Sequence, residues 1–265
     1  MTPERETHLR HLYESLRDLT DGQIGWIETV AEQFHKPASF QCSPDSDLIN
    51  ACVLQDFGDA LRIHHCFSKE AFTKDKFEYA FERVLNLCGI PAILAPRGNP
   101  GHDMTINDGR FSLKTQANKG ISSRYLHISK FMELGRGTWT DQEEDFIGLR
   151  DQFFRHLESY DRILSLRRLR RSRAYAWQYE LVEIPKSLLL EASKGMLRIM
   201  HTSRQFPKPA YYDVTDSSGM SKFQLYVDAG GERKLQIKGM NKAYCIVHAE
   251  WRFETSRSES DSLLT

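Results

Sequence analysis

The chain has 265 residues, 36 basic and 36 acidic side chains, and an apolar fraction of 40%. These are ordinary values for a globular protein long enough for one large α/β domain or two small ones. Balanced charge excludes a global basic field, so affinity for a polyanion must come from local patches. The five cysteines, Cys42, Cys52, Cys66, Cys88 and Cys245, are scattered, odd in number and without a CxxC pair. That pattern argues against a disulfide framework and a thiolate zinc site, and it fits a reducing cytoplasm. The opening "MTPERETHLRHLYESL" carries charges where a signal peptide needs an apolar core, and no run reaches the length of a membrane span. A soluble, internal protein is therefore expected.

Residues 7–36 place Leu9, Leu12, Leu16 and Leu19, then Ile24, Ile27, Val30 and Phe34, at helical spacing on either side of "TDGQ", which predicts two amphipathic helices. "DKFEYAFERVLNLCGI" predicts a helix with Phe77, Phe81, Val84 and Leu85 on its core face, ended by Gly89. "HDMTIND" and "RFSLKTQ", joined by Asn-Asp-Gly, form a strong hairpin signal. "YLHISKFMELG" reads as a strand end passing into a helix with Ser129 as N-cap. Residues 143–172 read as mostly helical and end in the arginine cluster Arg162–Arg173. From residue 175 to 254, "YELVEIP", "KFQLYVD", "RKLQIKG" and "AYCIVHAEWRF" alternate at period two, so antiparallel sheet is expected there. Residues 256–265 are a polar tail expected to fray.

Because side chains alternate along a strand, Ser112, Lys114 and Gln116 share one face, and the preceding hairpin strand brings Asp103 within reach of them. A carboxylate and a lysine on a rigid platform suit phosphodiester hydrolysis. Asp103 and the backbone carbonyl of Leu113 could hold a hard cation, while Lys114 positions the attacking water and stabilises charge on phosphorus. On spacing alone the same pattern fits a solvated edge strand. His64 and His65, read as neighbours on a strand, would point to opposite faces, and without a metal-binding partner spacing they read as structural, leaving His102 as a residue beside the site. No GxGxxG or GxxxxGK[ST] is present, so no nucleotide-powered step is expected.

"NPGHDMTI", "SLKTQ", "YLHISKFMELG", "YELVEIPKSLLLEA" and "GGERKLQIK" together resemble the SmaI-type restriction endonucleases, a branch of the PD-(D/E)XK nucleases, from about Asp56 to Phe253. The resemblance implies a single nuclease domain over residues 1–255, with a mixed central sheet flanked by helices, a helical N-terminus (about 5–90), a catalytic hairpin (99–117), a helical segment (129–172) and antiparallel C-terminal strands. It also implies a Mg²⁺-dependent, bacterial enzyme that cuts both strands of a GC-rich palindrome, CCCGGG for the type member, in unmethylated double-stranded DNA. Such an enzyme acts as a homodimer and has a cognate DNA methyltransferase as its genetic partner. Asp103 stands at the first carboxylate of the pattern and Lys114 at its lysine. Ser112 departs from the usual acid, so a second carboxylate must come from elsewhere: Glu133 is the first choice, with Glu78 or Glu82 as alternatives. Gln116 would bind a phosphate or the metal-bound water, or line the cleft.

The arginine cluster reads equally as phosphate contacts or a solvated helix face. Base reading is assigned to Arg204 and Lys208 in "TSRQFPKPAYY" and to Arg233, Lys234 and Lys238 in "GGERKLQIK", because such side chains can pair with guanine in the major groove. Two rivals remain open: another PD-(D/E)XK repair or nicking nuclease, and a duplex-binding module whose catalytic site has decayed.

Overall fold

The computed structural model of the chain describes residues 2–96, 98, 101–118, 121–135, 137–170 and 175–255. The tail at 256–265 and the Arg171 and Arg173 end of the arginine cluster lie outside these residues. In chain order, helices α1 (Pro3–Leu16) and α2 (Asp21–His35) lead into strand β1 (Ala38–Cys42), helices α3 (Ala51–Phe67) and α4 (Lys74–Leu87), and strands β2 (Ala92–Leu94), β3 (Met104–Ile106), β4 (Gly109–Gln116) and β5 (Tyr125–Glu133). Helix α5 (Glu143–Leu157), strands β6 (Arg162–Arg168) and β7 (Trp177–Glu183) and the short α6 (Lys186–Leu190) follow. Strands β8 (Met196–Ile199), β9 (Ala210–Thr215), β10 (Ser221–Asp228), β11 (Lys234–Asn241) and β12 (Ile246–Phe253) complete the chain.

Seven strands form a mixed sheet in the order β1-β12-β7-β6-β4-β3-β2, in which β4 and β6 run parallel. Five strands, β5-β11-β10-β9-β8, form an antiparallel sheet. The fold is thus α/β with a mixed sheet, a helical N-terminal part and antiparallel C-terminal strands. Each sheet has its own core. Helices α3 and α4 cover one face of the mixed sheet, where Phe57 packs edge-on against Phe77, Phe81 and Trp251 at ring separations of 5.9, 5.5 and 5.1 Å. The second core gathers Phe146 and Phe153 of α5, the inner face of the antiparallel sheet, and Ile163 and Val182 from the mixed sheet. Gly58 permits the close seating of α3: a Cβ there would lie 2.7 Å from Trp251 Cδ1 and nearer still to the Phe40 ring.

Local signals explain most boundaries. Thr20 and Gln23 form a reciprocal capping box at the start of α2. Helix α4 buries Phe77, Phe81, Val84 and Leu85, and it ends as its sequence dictates, with Gly89 left-handed at φ +75° and Ile90 N–H donating to Leu85 O at 2.8 Å. The β3–β4 hairpin turns at Asn107, whose φ of +50° suits asparagine.

Four expectations need correction. Residues 125–133 are strand throughout, so Ser129 caps no helix. Residues 162–168 are strand and not the end of a helix. His64 and His65 lie on α3, not on a strand. Cys52 on α3 and Cys88 after α4 form a disulfide across 36 residues of sequence, although cysteine spacing argues against such bonds. Among the described residues, no helix is long and apolar enough to cross a membrane.

His65 is structural. Its ring stacks on Trp177 at 3.5 Å and hydrogen-bonds Ser68 O at 2.9 Å and Tyr179 Oη at 2.8 Å. Burial lowers its pKa from the ordinary 6.5 to about 3, although the Ser68 bond opposes this. The folded protein therefore keeps the ring neutral, while the unfolded chain takes up a proton once pH falls below 6.5. Stability from this group is complete above that pH and declines by up to about 1.4 kcal/mol per pH unit on the way down to about 3. Urea unfolding between pH 7 and 4 is expected to show a steeper stability loss for the wild type than for His65→Gln; equal slopes would contradict this assignment.

Candidate active site

The mixed sheet places Asp103 one residue before β3, inside the ladder. Asp103 N–H donates to Phe111 O at 2.8 Å, and its carbonyl accepts from Ala95 N–H at 2.9 Å. Its carboxylate is held from three sides. Oδ2 accepts from Leu113 N–H at 2.6 Å and from Ser112 Oγ–H at 3.2 Å, and Oδ1 accepts from Lys74 Nζ at 2.8 Å. In an extended strand the N–H and C=O of one residue project to the same edge, so the Leu113 carbonyl lies on the Asp103 side of β4. Ser112 is buried and acts as a donor that orients Asp103.

Helix α4 brings the second carboxylate. Lys74 on its first turn also lies 3.2 Å from Glu78 Oε1, the i,i+4 partner one turn on. Glu78 Oε1 is buried and faces this ammonium. Lys74, Glu78, Asp103 and His102 line a single cavity of about 500 Å³ together with Leu94, Ala95, Pro96 and Gly98.

The electrostatics set the two acids apart. Burial opposes ionisation of Asp103, but Lys114, Lys74 and the Leu113 N–H outweigh it and hold the carboxyl below its ordinary range. Glu78 is raised, chiefly by burial and further by Asp103 and Asp75, which Lys74 only partly offsets. Burial brings Lys114 down to about 8 with Lys74 adding to the effect, while Asp103 and Glu78 oppose it. Its Nζ stands 5.6 Å above the Phe131 ring of the second core. The group is therefore a lysine that exchanges its proton near neutral pH more readily than a surface one. Two carboxylates drawn to one ammonium and a carbonyl on the same side of β4 make a hard-oxygen donor set that suits a small divalent cation.

The other expected residues fall elsewhere. Glu133 ends β5 in the antiparallel sheet, its side chain 65% exposed and paired with Lys130 at 2.6 Å. The strand assignment of 125–133 takes it off the helix on which it was expected. Glu82 Oε1 accepts from Leu94 N–H at 2.8 Å and so fastens α4 to β2. Gln116 is buried with both ends of its amide engaged: Nε2 donates to His127 O, and Oε1 accepts from Arg167 Nε at 2.6 Å. His102 Nε2 lies 3.1 Å from Thr105 Oγ1.

Within the arginine cluster, Arg162 pairs with Asp47 at 2.8 Å and with Glu183 at 2.5 Å. Arg167 is fully buried against Glu180, and Arg168 lies over Trp177 at 4.6 Å. These three are internal fasteners and not a solvated helix face.

The two loops expected to read DNA converge on a second cavity of about 620 Å³, lined by Gln205, Phe206, Gly230, Gly231 and Arg233. There Arg204 is exposed and Lys208 Nζ donates to Ser203 O at 2.7 Å. Arg233 donates to Gly137 O, Lys234 pairs with Glu232 at 3.0 Å, and Lys238 Nζ sits 3.5 Å over the Tyr226 ring. Lys74 was passed over in the sequence, although its i,i+4 relation to Glu78 is written there.

A model of the SmaI family, described as type II site-specific deoxyribonuclease, matches residues 12–253, and the chain belongs to that family of enzymes. Among characterised proteins, the type II restriction enzyme SmaI of Serratia marcescens is 44% identical over 251 residues, covering 94% of this chain and 97% of the relative. No solved structure matches.

Gln116→Leu is expected to lower the unfolding free energy by about 1–3 kcal/mol, because Arg167 Nε and His127 O lose their partner. Chemical denaturation measures this. Wild-type stability combined with weakened DNA binding would instead return Gln116 to a phosphate-contacting role.

Proposed function

We propose that this type II deoxyribonuclease uses Mg²⁺ held by Asp103, Glu78 and the Leu113 carbonyl, in the manner of a PD-(D/E)XK site whose second acid comes from helix α4 in place of Ser112. The observation that carries the reading is that the buried Glu78 Oε1, 3.2 Å from the ammonium that also binds Asp103, faces the same cavity as Asp103. When bound, the cation would supply Lewis-acid stabilisation of charge on the scissile phosphate and a more acidic water.

This chain's residues would do the rest. Ser112 and Leu113 N–H fix the Asp103 carboxylate before substrate arrives. Lys114, with its lowered pKa, orients the attacking water and places positive charge against the non-bridging oxygens. Water adds to phosphorus and the bond to the 3′ oxygen breaks, leaving a 5′-phosphate and a 3′-hydroxyl. Asp103, Glu78 and Lys114 fulfil these roles without Glu133.

Membership of the SmaI family supports double-strand cleavage of a GC-rich palindrome, CCCGGG, in unmethylated DNA, with a cognate methyltransferase protecting the host and the enzyme working in a bacterial cytoplasm. The cavity between the 200–209 loop and the 229–233 hairpin is the proposed groove-reading end, with Arg233 lining it, exposed Arg204 beside it, and Lys208, Lys234 and Lys238 as further basic residues of the two segments. A homodimer is supported by the helical N-terminus, where Leu9, Leu12, Tyr13, Trp26 and Phe34 stay exposed on α1 and α2.

The test is cleavage of unmethylated plasmid in Mg²⁺, with the fragment ends sequenced. Asp103→Asn, Glu78→Gln and Lys114→Ala are each expected to slow cleavage by at least about a hundredfold, while Glu133→Gln stays near the wild-type rate and all ends fall at one palindrome. A Glu133→Gln variant as slow as Asp103→Asn, beside an unimpaired Glu78→Gln, would overturn the ligand set. Folded wild type that binds duplex in Ca²⁺ but never cuts in Mg²⁺ would favour a binding module.

A further inference from the structure

Lys74 holds a position that its helix disfavours and two carboxylates hold in place. Its Nζ lies between two carboxylates from different elements, 2.8 Å from Asp103 Oδ1 and 3.2 Å from Glu78 Oε1. It is also the first residue of α4, where the positive end of the helix dipole disfavours a cation. The two carboxylates must supply what the helix withholds. An ammonium is a compact point charge, and here it occupies the space between the two acids assigned to the divalent cation. Its side chain is 43% exposed and lines the mouth of the same cavity, so it can swing toward solvent about its four-carbon stem without disturbing the helix.

We infer that Lys74 is an internal placeholder for the divalent cation, which must displace the ammonium to reach Asp103 and Glu78. This rests on the proposed metal site. The displaced ammonium stays at the cavity mouth, where an approaching phosphodiester is the available counter-charge. DNA that receives Lys74 therefore favours metal uptake, and metal that expels Lys74 favours DNA, as linkage requires. Without DNA the enzyme holds its own cation, so metal loading is coupled to the substrate.

Calorimetric titration of Ca²⁺ into the full-length protein tests this, with and without a duplex carrying the palindrome and with circular dichroism confirming each fold. Lys74→Gln, and Lys74→Met as a variant that keeps the aliphatic stem, are expected to bind Ca²⁺ about five- to tenfold more tightly than wild type in the absence of DNA. The tightening that DNA produces in the wild type should shrink in both variants. Unchanged or weaker Ca²⁺ binding by both, with wild-type binding still lost in Asp103→Asn and Glu78→Gln, would overturn the placeholder role and leave the metal site standing. Wild-type Ca²⁺ binding that ignores Asp103→Asn and Glu78→Gln would overturn the site, and the placeholder with it.

Discussion

A single buried guanidinium holds strand β4 in its place. Arg167 on β6 is fully buried and donates to Glu180 on β7, to Gln116 at the end of β4, and to the carbonyls of Ser122 and Tyr125 at 2.6 and 2.7 Å in the segment that leads into β5. Lys242 closes the network on Glu180 Oε2 at 2.7 Å. Burying an ion is tolerable only when every donor finds an acceptor, and removing a partner from such a pair costs about 3–5 kcal/mol. The network therefore ties the mixed sheet to the start of the antiparallel one. Gln116 extends it through its bond to His127 O.

With its far end fixed in this way, β4 can carry polar side chains on an inner face. Leu113 turns into the core under α3 and α4, whereas Ser112, Lys114 and Gln116 turn toward the second core. None of the three is idle: Ser112 orients Asp103, Lys114 lies over Phe131, and Gln116 joins the Arg167 network. The strand is polar on that face because it serves the site at one end and the joint between sheets at the other. The two acids then diverge in character, Asp103 held ionised by cations and N–H donors and Glu78 raised by burial. Such divergence is what environment does to paired carboxylates in a cleft.

Much of this was legible in the sequence, and the failures have physical causes. Asn-Asp-Gly between alternating runs announced the hairpin, and it carried Asp103 and Lys114 to one place. The apolar spacing of 74–87 gave α4 and its core face. The choice among Glu78, Glu82 and Glu133 was not legible, since a helix with an outer face expects charge and no spacing rule says which glutamate faces inward. Strand β5 looked partly helical because its pairing with β11 slips: Met132 pairs with Leu235 but Ile128 with Ile237, and the irregularity breaks the period of two. Strand β6 is buried on both faces from Ile163 to Arg167, which gives a continuous run that cannot be told from a helix segment by periodicity. The pairing of Cys52 with Cys88 depends on α3 lying beside the end of α4, a tertiary fact.

In the proposed site helix α4, through Glu78, supplies the acid that Ser112 cannot. Anomalous diffraction from crystals of the enzyme soaked in Mn²⁺ locates the cation directly. One peak is expected within coordination distance of Asp103, Glu78 and the Leu113 carbonyl, with the Lys74 ammonium moved away from both carboxylates. A peak bound through Glu133, or one that leaves Glu78 uncoordinated, would contradict it.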